Sequence, residues 1–518
     1  MDSQKVKTII LLVLASLGAL YLGIAAATAQ LETVLWVVGT ITVVICIALG
    51  RRIWLIIPFA SSLGLVLPIP GNFSMEMIAQ IITLGFSSLL FLMRRLPMRA
   101  RVTELEVVCF LFVLCVLQVY LRNPVGLNLF GGDTVGGKPY ILFIITTATA
   151  YLLSMLLVPG TDLRWWVRLS VVSSLMNFGL GAIGKVFPGV GYYLGASFSS
   201  DVEGEGPEVA AGEATRIAFV RGISVTLAMW ISSRISPLKA CLRPGWLFLI
   251  LCTLAAAAFS GYRSQLILVC LYFFVGICYR SGIKGAIFSL FLGSFGIAML
   301  AVVNLVAPLP PNVQRALTFL PGTWDERFER DAQGSTDWRV EMWKEALFTE
   351  RWIKNKWLGD GLGFTKAELD TMNKINKANQ GGIGVSGMSE GQETMMINGG
   401  YHSGPVQTIR VVGYVGLAVL LFGFFRVAVH AHRQIQRTRG TEWFPVALFI
   451  GLPFIVGPIF WVVIIGSFDG GGRILLLGAA LVSMMEKNLP LPAYVRSARV
   501  PYILKSRHAA RAAEQQAN

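Results

Sequence analysis

The chain carries four histidines, and one of them stands apart. His430 and His432 fall in a basic stretch and His508 in a basic tail. His402 instead follows a polar, Gly-rich segment and directly precedes an apolar run. Imidazole is the side chain whose ordinary pKa suits proton transfer near neutrality. His402 is therefore the candidate general base, with an exposed loop histidine as the plainer alternative. A second set is made of arginines. Arg216, Arg221, Arg263, Arg410 and Arg473 lie near one and the same end of successive apolar runs, Arg339 lies in a polar insert, and Arg168 lies near the opposite end of a run. Guanidinium binds phosphate bidentately and keeps its charge, so a cluster of this kind suits a diphosphate. The alternative is that each snorkels to nearby headgroups. Hardly any apolar run has an acid near its middle, which counts against a proton-coupled transporter.

The elements that must position these residues are apolar. The chain is 54% hydrophobic and 14% charged, where a soluble chain is about a quarter charged. Its mean hydropathy is +0.64. A bilayer core takes roughly 20 apolar residues to cross. Runs near that length occur at 8–28, 32–50, 53–70, 76–93, 105–121, 139–158, 165–186, 214–233, 245–260, 263–280, 285–307, 405–425, 443–466 and 473–486. The expectation is an all-α polytopic membrane protein of about fourteen spans, with twelve or thirteen as alternatives because 53–70 is broken by prolines and the last run is short. Lys5 and Lys7 precede the first run without a cleavage site, so an uncleaved first helix is expected.

The net charge of +15 follows from topology rather than from a nucleic-acid partner. With the N-terminus inside, the basic clusters at Arg51–Arg52, Arg94–Arg101, Arg164–Arg168, Arg234–Arg243, Arg280–Lys284 and Arg426–Arg439, and the tail 487–518, all fall on the inner side, as the positive-inside rule asks. Both termini are then cytoplasmic and His402 is outside. Four segments follow: 1–307 with eleven spans, a large outer insert at 308–404, 405–486 with three spans, and the basic inner tail 487–518. Seven cysteines, Cys46, Cys109, Cys115, Cys241, Cys252, Cys270 and Cys278, sit in apolar runs or inner loops, so neither a disulfide nor a metal site is expected.

Two outer segments differ from the rest. Residues 187–213 form a Gly-rich acidic loop, read as solvated, with cation binding as the alternative. The insert opens on Pro308, Pro310 and Pro311, then predicts a helix from Asp337 to about Ile353 with Ser335 or Thr336 as cap. A Gly-punctuated turn follows from Lys356 to Phe364, and then a polar stretch over 371–400. Its tryptophans Trp338, Trp343, Trp352 and Trp357 suit interfacial anchoring, or else stacking on sugar rings.

Three segments, in order, carry a resemblance. His402-Ser403, then nine residues, then Gly413-Tyr414-Val415-Gly416 resembles the signature of the O-antigen ligase family. Ser260-Gly261-Tyr262-Arg263 is similar to that superfamily's S-x-x-R turn. Trp338-Arg339-Val340-Glu341-Met342-Trp343, leading to Leu358-Gly359-Asp360-Gly361-Leu362-Gly363, is similar to its R-x-x-x-W helix and Gly-rich turn. Arg221-Gly222 resembles a further upstream element. The matched region is roughly 216–425. Leu417-Ala418 replaces the hydroxyl pair that often follows G-x-x-G in ligases, and fourteen spans is closer to polymerases than to ligases.

The resemblance implies the lipid-carrier-dependent glycosyltransferase membrane fold in a bacterial inner membrane. It implies transfer of a glycan from an undecaprenyl-diphosphate carrier to a lipid or saccharide acceptor hydroxyl on the periplasmic face, without metal or cofactor. His402 would act on the acceptor, Arg263 and Arg339 on the diphosphate, and Arg221, Arg216 and Arg410 would share that binding. Membrane lipids and other polysaccharide-assembly proteins are the further expected partners. A polymerase joining repeat units is the alternative within the class. A lipid-linked glycan transporter and a non-catalytic export scaffold are the alternatives outside it.

Overall fold

The computed structural model describes residues 31–67, 73–100, 102–125, 136–187, 217, 219–363, 395–396 and 399–489. The run at 8–28, nearly all of the acidic loop 187–213, Arg216, most of 371–400 and the tail beyond Leu489 lie outside these residues. In chain order the helices are α1 (Leu31–Leu49), α2 (Ile56–Leu63), α3 (Met75–Leu92), α4 (Glu104–Arg122), α5 (Lys138–Met155), α6 (Gly160–Val186), α7 (Phe219–Arg234), α8 (Pro237–Ala240), α9 (Pro244–Phe259), α10 (Arg263–Val306), α11 (Pro311–Leu317), α12 (Glu326–Phe348), α13 (Gly404–Arg437), α14 (Phe444–Val463) and α15 (Phe468–Asn488). A two-residue antiparallel ladder, Val66–Leu67 with Phe73–Ser74, is the one named sheet among the described residues.

Among the described residues nine helices are long and apolar enough to cross a membrane, so this is an all-α, multi-pass membrane protein. The runs at 32–50 and 53–70 fall together in one candidate span, Thr42–Leu63. Arg51 and Arg52, expected in an inner loop, lie in a 3-10 turn over Gly50–Leu55. The runs at 214–233 and 245–260 are the 16-residue helices α7 and α9. Those at 263–280 and 285–307 are the two halves of α10, joined at Gly282 with φ 68° and ψ −166°.

The chain forms two compact units, Met1–Trp54 with Gly85–Leu96, and Leu55–Leu84 with Pro97–Asn518. The first holds α1 and the end of α3. The second holds α2, the start of α3 and every helix from α4 onward. In it α13 packs on α4, α14 and α15, and α15 packs on α5. A neighbouring layer places α7 against α6, α9 and α10, around buried Ile231, Val269, Leu448 and Leu452.

Polar contacts fasten the end of this unit opposite His402. Thr103 opens α4 with a capping box, its N–H donating to Glu106 at 2.9 Å. Glu104 in the same turn pairs with Arg426 and His430 of α13. Asn488 at the end of α15 donates to the Leu156 carbonyl at 3.2 Å and accepts from the Val158 N–H at 3.0 Å. His430 and His432 were expected in a loop. They are helical, because α13 continues twelve residues past the apolar run to Arg437. Its polar side chains there are used internally: His430 meets Glu104, and His432 Nδ1 lies 2.7 Å from the Tyr279 hydroxyl.

The insert helix also differs from expectation. It starts at Glu326 and ends at Phe348, not at Asp337 and Ile353. Asp325 is the cap, accepting the Arg327 N–H at 3.0 Å. The Arg327 guanidinium, bonded to both carboxylate oxygens at 3.1 and 2.8 Å, holds the Asp325 carboxyl down to about 2. A start fixed this firmly, with Glu326 and Glu329 in the first turn, carries the helix through Gly334-Ser335-Thr336.

Candidate functional site

The site is built around a break in a span. Gly413 interrupts α13 at φ 71° and ψ −177°, a backbone state open essentially only to glycine. A regular helix would bond the Tyr414 N–H to the Arg410 carbonyl and the Val415 N–H to the Val411 carbonyl. Here all four groups turn to the insert. Asp360 and Gly361 N–H groups donate to the Arg410 and Val411 carbonyls at 2.6 and 3.1 Å. Tyr414 and Val415 N–H groups donate to the Lys356 and Trp357 carbonyls at 2.8 and 3.3 Å. Two lost helix bonds are thus replaced by four bonds to one loop, and the backbone polar groups at the break are satisfied within the protein.

The approach is close enough to exclude side chains at two positions. A Cβ on Gly413 would strike the Trp357 carbonyl, and one on Gly359 (φ 81°) the Val411 carbonyl. These two glycines let two backbones meet without Cβ atoms between them. That is a physical reason for glycines in G-x-x-G and in the Gly-rich turn of the insert.

The loop is clamped from its other side by the end of α4. Arg122 donates to the Leu358 and Gly359 carbonyls at 3.0 and 2.7 Å, Gln118 to the Leu358 carbonyl at 2.8 Å, and Asn123 to the Asp360 carbonyl at 3.0 Å. The Asp360 carboxylate accepts the Lys354 and Asn355 N–H groups at 2.8 and 2.9 Å. The Tyr140 hydroxyl accepts the Leu362 N–H at 2.9 Å. Arg122→Ala is expected to destabilise the loop by about 1–2 kcal/mol, since it removes two charge-assisted bonds at a partly exposed site. Limited proteolysis should then cut faster within 354–363, and Arg122→Lys should restore part of the protection.

His402 sits immediately above the start of α13. Ser403 is the cap of that helix, and Pro405 occupies its first turn. His402 takes φ 48°, one of two non-glycine residues with positive φ among those described. Such a conformation is uncommon outside glycine and persists where surroundings hold it. The surroundings are α12: Trp338 meets the His402 ring edge-on at 6.3 Å between centroids, and the Trp343 indole N–H donates to the Tyr401 carbonyl at 2.7 Å. Met342, Ala346, Ile353, Tyr401, Val406 and Ile409 form the apolar core beneath. Trp338, Trp343 and Trp352 pack against that core, while Trp357 is exposed beside Tyr414.

Arg339 follows Trp338 in α12 and is half-buried. Arg410 lies two turns into α13, 7% exposed, with Asp360, Tyr401 and Tyr140 near enough to act on its charge. Burial pushes the Tyr401 phenol up to about 12, so it keeps its proton throughout the physiological range. Its hydroxyl has no hydrogen-bond partner among the described residues.

Arg221 lies in α7, and Arg263 is the first residue of α10. The Arg221 guanidinium stacks on Tyr262, 4.8 Å from the ring centre. Gln265 donates to the Arg221 carbonyl and to Ser224, both at 2.8 Å. Ser260 and Gly261 (φ 72°) make the tight turn that starts α10 at Arg263, and the Ser260 carbonyl accepts the Ile217 N–H at 3.1 Å. Arg473 is engaged elsewhere, paired with Glu76 at 3.1 Å.

Arg122, Asp360, Tyr140 and Tyr401 are not among the residues that the sequence singles out for chemistry. Arg122 closes an apolar run with no motif around it, and its loop partners lie more than two hundred residues away. Asp360 carried a signal, as the one acid inside Leu358-Gly359-Asp360-Gly361. The chain matches no protein-family model, and no curated protein matches its sequence.

Proposed function

We propose that the protein transfers a glycan from an undecaprenyl-diphosphate carrier to an acceptor hydroxyl at the His402 end of the bundle. The observation that supports this reading is the contact of His402 with Trp338 above the broken span, with buried Arg410 two turns below. The two segments that carry His402 and Arg339 meet where Trp338 touches His402. His402 accepts the proton of the acceptor hydroxyl as its oxygen bonds to the anomeric carbon. The bond from that carbon to the diphosphate oxygen breaks, and the lipid diphosphate leaves with the electron pair. Arg339 and Arg410 balance the charge that grows on it, with Arg221, Arg263 and Arg216 holding the remainder of the diphosphate. Fixed guanidinium groups in a site shielded from water stabilise such charge without a divalent ion.

The topology that suits this chemistry has about fourteen spans, cytoplasmic termini and a periplasmic insert in a bacterial inner membrane. It resembles the lipid-carrier-dependent glycosyltransferases. A lipid acceptor makes the protein a ligase, and a growing saccharide makes it a polymerase. Purified protein supplied with undecaprenyl-diphosphate glycan and either acceptor should release undecaprenyl diphosphate. Donor bound tightly, with no release for either acceptor, would overturn transfer and leave a transporter. Unchanged glycan assembly in cells carrying Arg263→Ala and Arg339→Ala would leave a scaffold.

A further inference from the structure

The end of the bundle opposite His402 holds a cavity of about 210 Å³, lined by Arg164, Arg168, Ser233, Arg234, Glu442 and Val446 among others. Three guanidinium groups face one carboxylate across it. Arg164 is committed to Glu442 at 2.8 Å and lies over the Trp443 ring at 4.2 Å. Arg168 rests on Trp165 at 4.9 Å. Neither Arg168 nor Arg234 has a carboxylate partner among the described residues, and both are exposed. The first turns of α6 and α14 meet at this place, where Gly160 packs on Trp443. The first turn of α14 lines the cavity through Pro445 and Val446, and α6 lines it through Arg164, Val167 and Arg168.

We propose that this cavity is a binding site for the phosphate headgroup of an anionic phospholipid. Phosphate chemistry follows from the guanidinium set. The lipid source follows from what runs away from the cavity. Trp165, Arg168, Val172, Leu175 and Ile183 recur at helical spacing along α6, and all five are exposed. An apolar stripe hanging from a cationic mouth is a track for acyl chains below a bound headgroup. Trp165 and Trp443 flank that mouth, as aromatic residues do at headgroup depth. Basic pockets between span ends on the side facing anionic lipid bind headgroups in this way. The site is built on α6, α7 and α14 and does not depend on the transfer reaction proposed above.

The test uses full-length protein in mild detergent. Retained lipid is counted by native mass spectrometry after titration with cardiolipin, phosphatidylglycerol or phosphatidylcholine, and inorganic phosphate serves as a competitor. Wild type should retain the anionic lipids at least tenfold better than phosphatidylcholine. Arg168→Ala with Arg234→Ala should lose most of that preference, and Lys284→Ala, a basic residue outside the cavity, should not. Glu442→Gln should tighten retention, which a variant merely impaired in folding would not do. Equal retention of phosphatidylcholine overturns the proposal. So does a double variant that holds anionic lipid as wild type does. Displacement of the lipid by inorganic phosphate at comparable concentration would assign the cavity to a free phosphate instead.

Discussion

Replacing Gly413 with alanine is expected to cost about 3 kcal/mol or more and to free the insert from the span. Two effects add. The backbone at φ 71° and ψ −177° is closed to a residue with a Cβ, and the new methyl would meet the Trp357 carbonyl. That carbonyl cannot retreat without breaking its bond from the Val415 N–H and loosening the three beside it. Thermal unfolding in detergent should show a lower midpoint, and protease should reach 354–363. Gly359→Ala should behave alike, since it strikes the other side of the same crossing. Gly293→Ala provides the contrast. Its Cβ would meet nothing within 4 Å and it lies inside a helix, so the change should be neutral or stabilising by up to about 1 kcal/mol. A Gly413 variant as stable as the Gly293 variant would show that the crossing contributes nothing.

His402→Ala is expected to reduce glycan transfer by about 10²–10⁴-fold, the usual contribution of a positioned acid or base. Donor binding should change little, because the cations that hold the diphosphate lie on other residues. The backbone complicates a simple reading, since His402 sits at φ 48° and alanine tolerates that poorly. His402→Asn separates the effects. Asparagine accepts the left-handed conformation but supplies no base at neutral pH. If His402→Asn melts like wild type and fails in transfer, the imidazole does chemistry. If it transfers normally, the residue serves only to shape the entry into α13, and the proposed reaction loses its base.

Much of the helical layout was legible from apolar runs alone. The limits of α3, α4 and α5 fall within about three residues of the runs at 76–93, 105–121 and 139–158. Length and hydropathy fix such segments locally. The end of α13 was not legible in the same way. Arg426, His430, Arg433 and Arg437 read as loop, yet they ride a helix whose other face is buried through Val427, Ala431 and Ile435. Composition averaged over a window hides that division of faces. The insert helix was misplaced for the converse reason, because a strong cap at Asp325 outweighed a weak break at Gly334.

For the candidate site, the sequence picks out His402, Arg339 and the two glycines of G-x-x-G, but not the partners that hold Gly413 and the loop in place. Gly413 matters because of Trp357, and Arg122 because of Leu358 and Gly359. These partners are set by tertiary approach, which leaves no local periodicity to read.

The crossing at Gly413 also has a consequence for biogenesis. The loop at 356–361 leaves the ribosome before α13 does. When α13 enters the bilayer it arrives with the Arg410 and Val411 carbonyls and the Tyr414 and Val415 N–H groups needing partners, and each would cost several kcal/mol in lipid if left alone. Their partners must already be waiting on the side of the membrane where α13 begins. Moving the insert to the chain terminus by circular permutation would reverse that order while leaving every native contact possible. The permuted chain should then stall or be degraded during insertion, even where its finished structure would be as stable as the original.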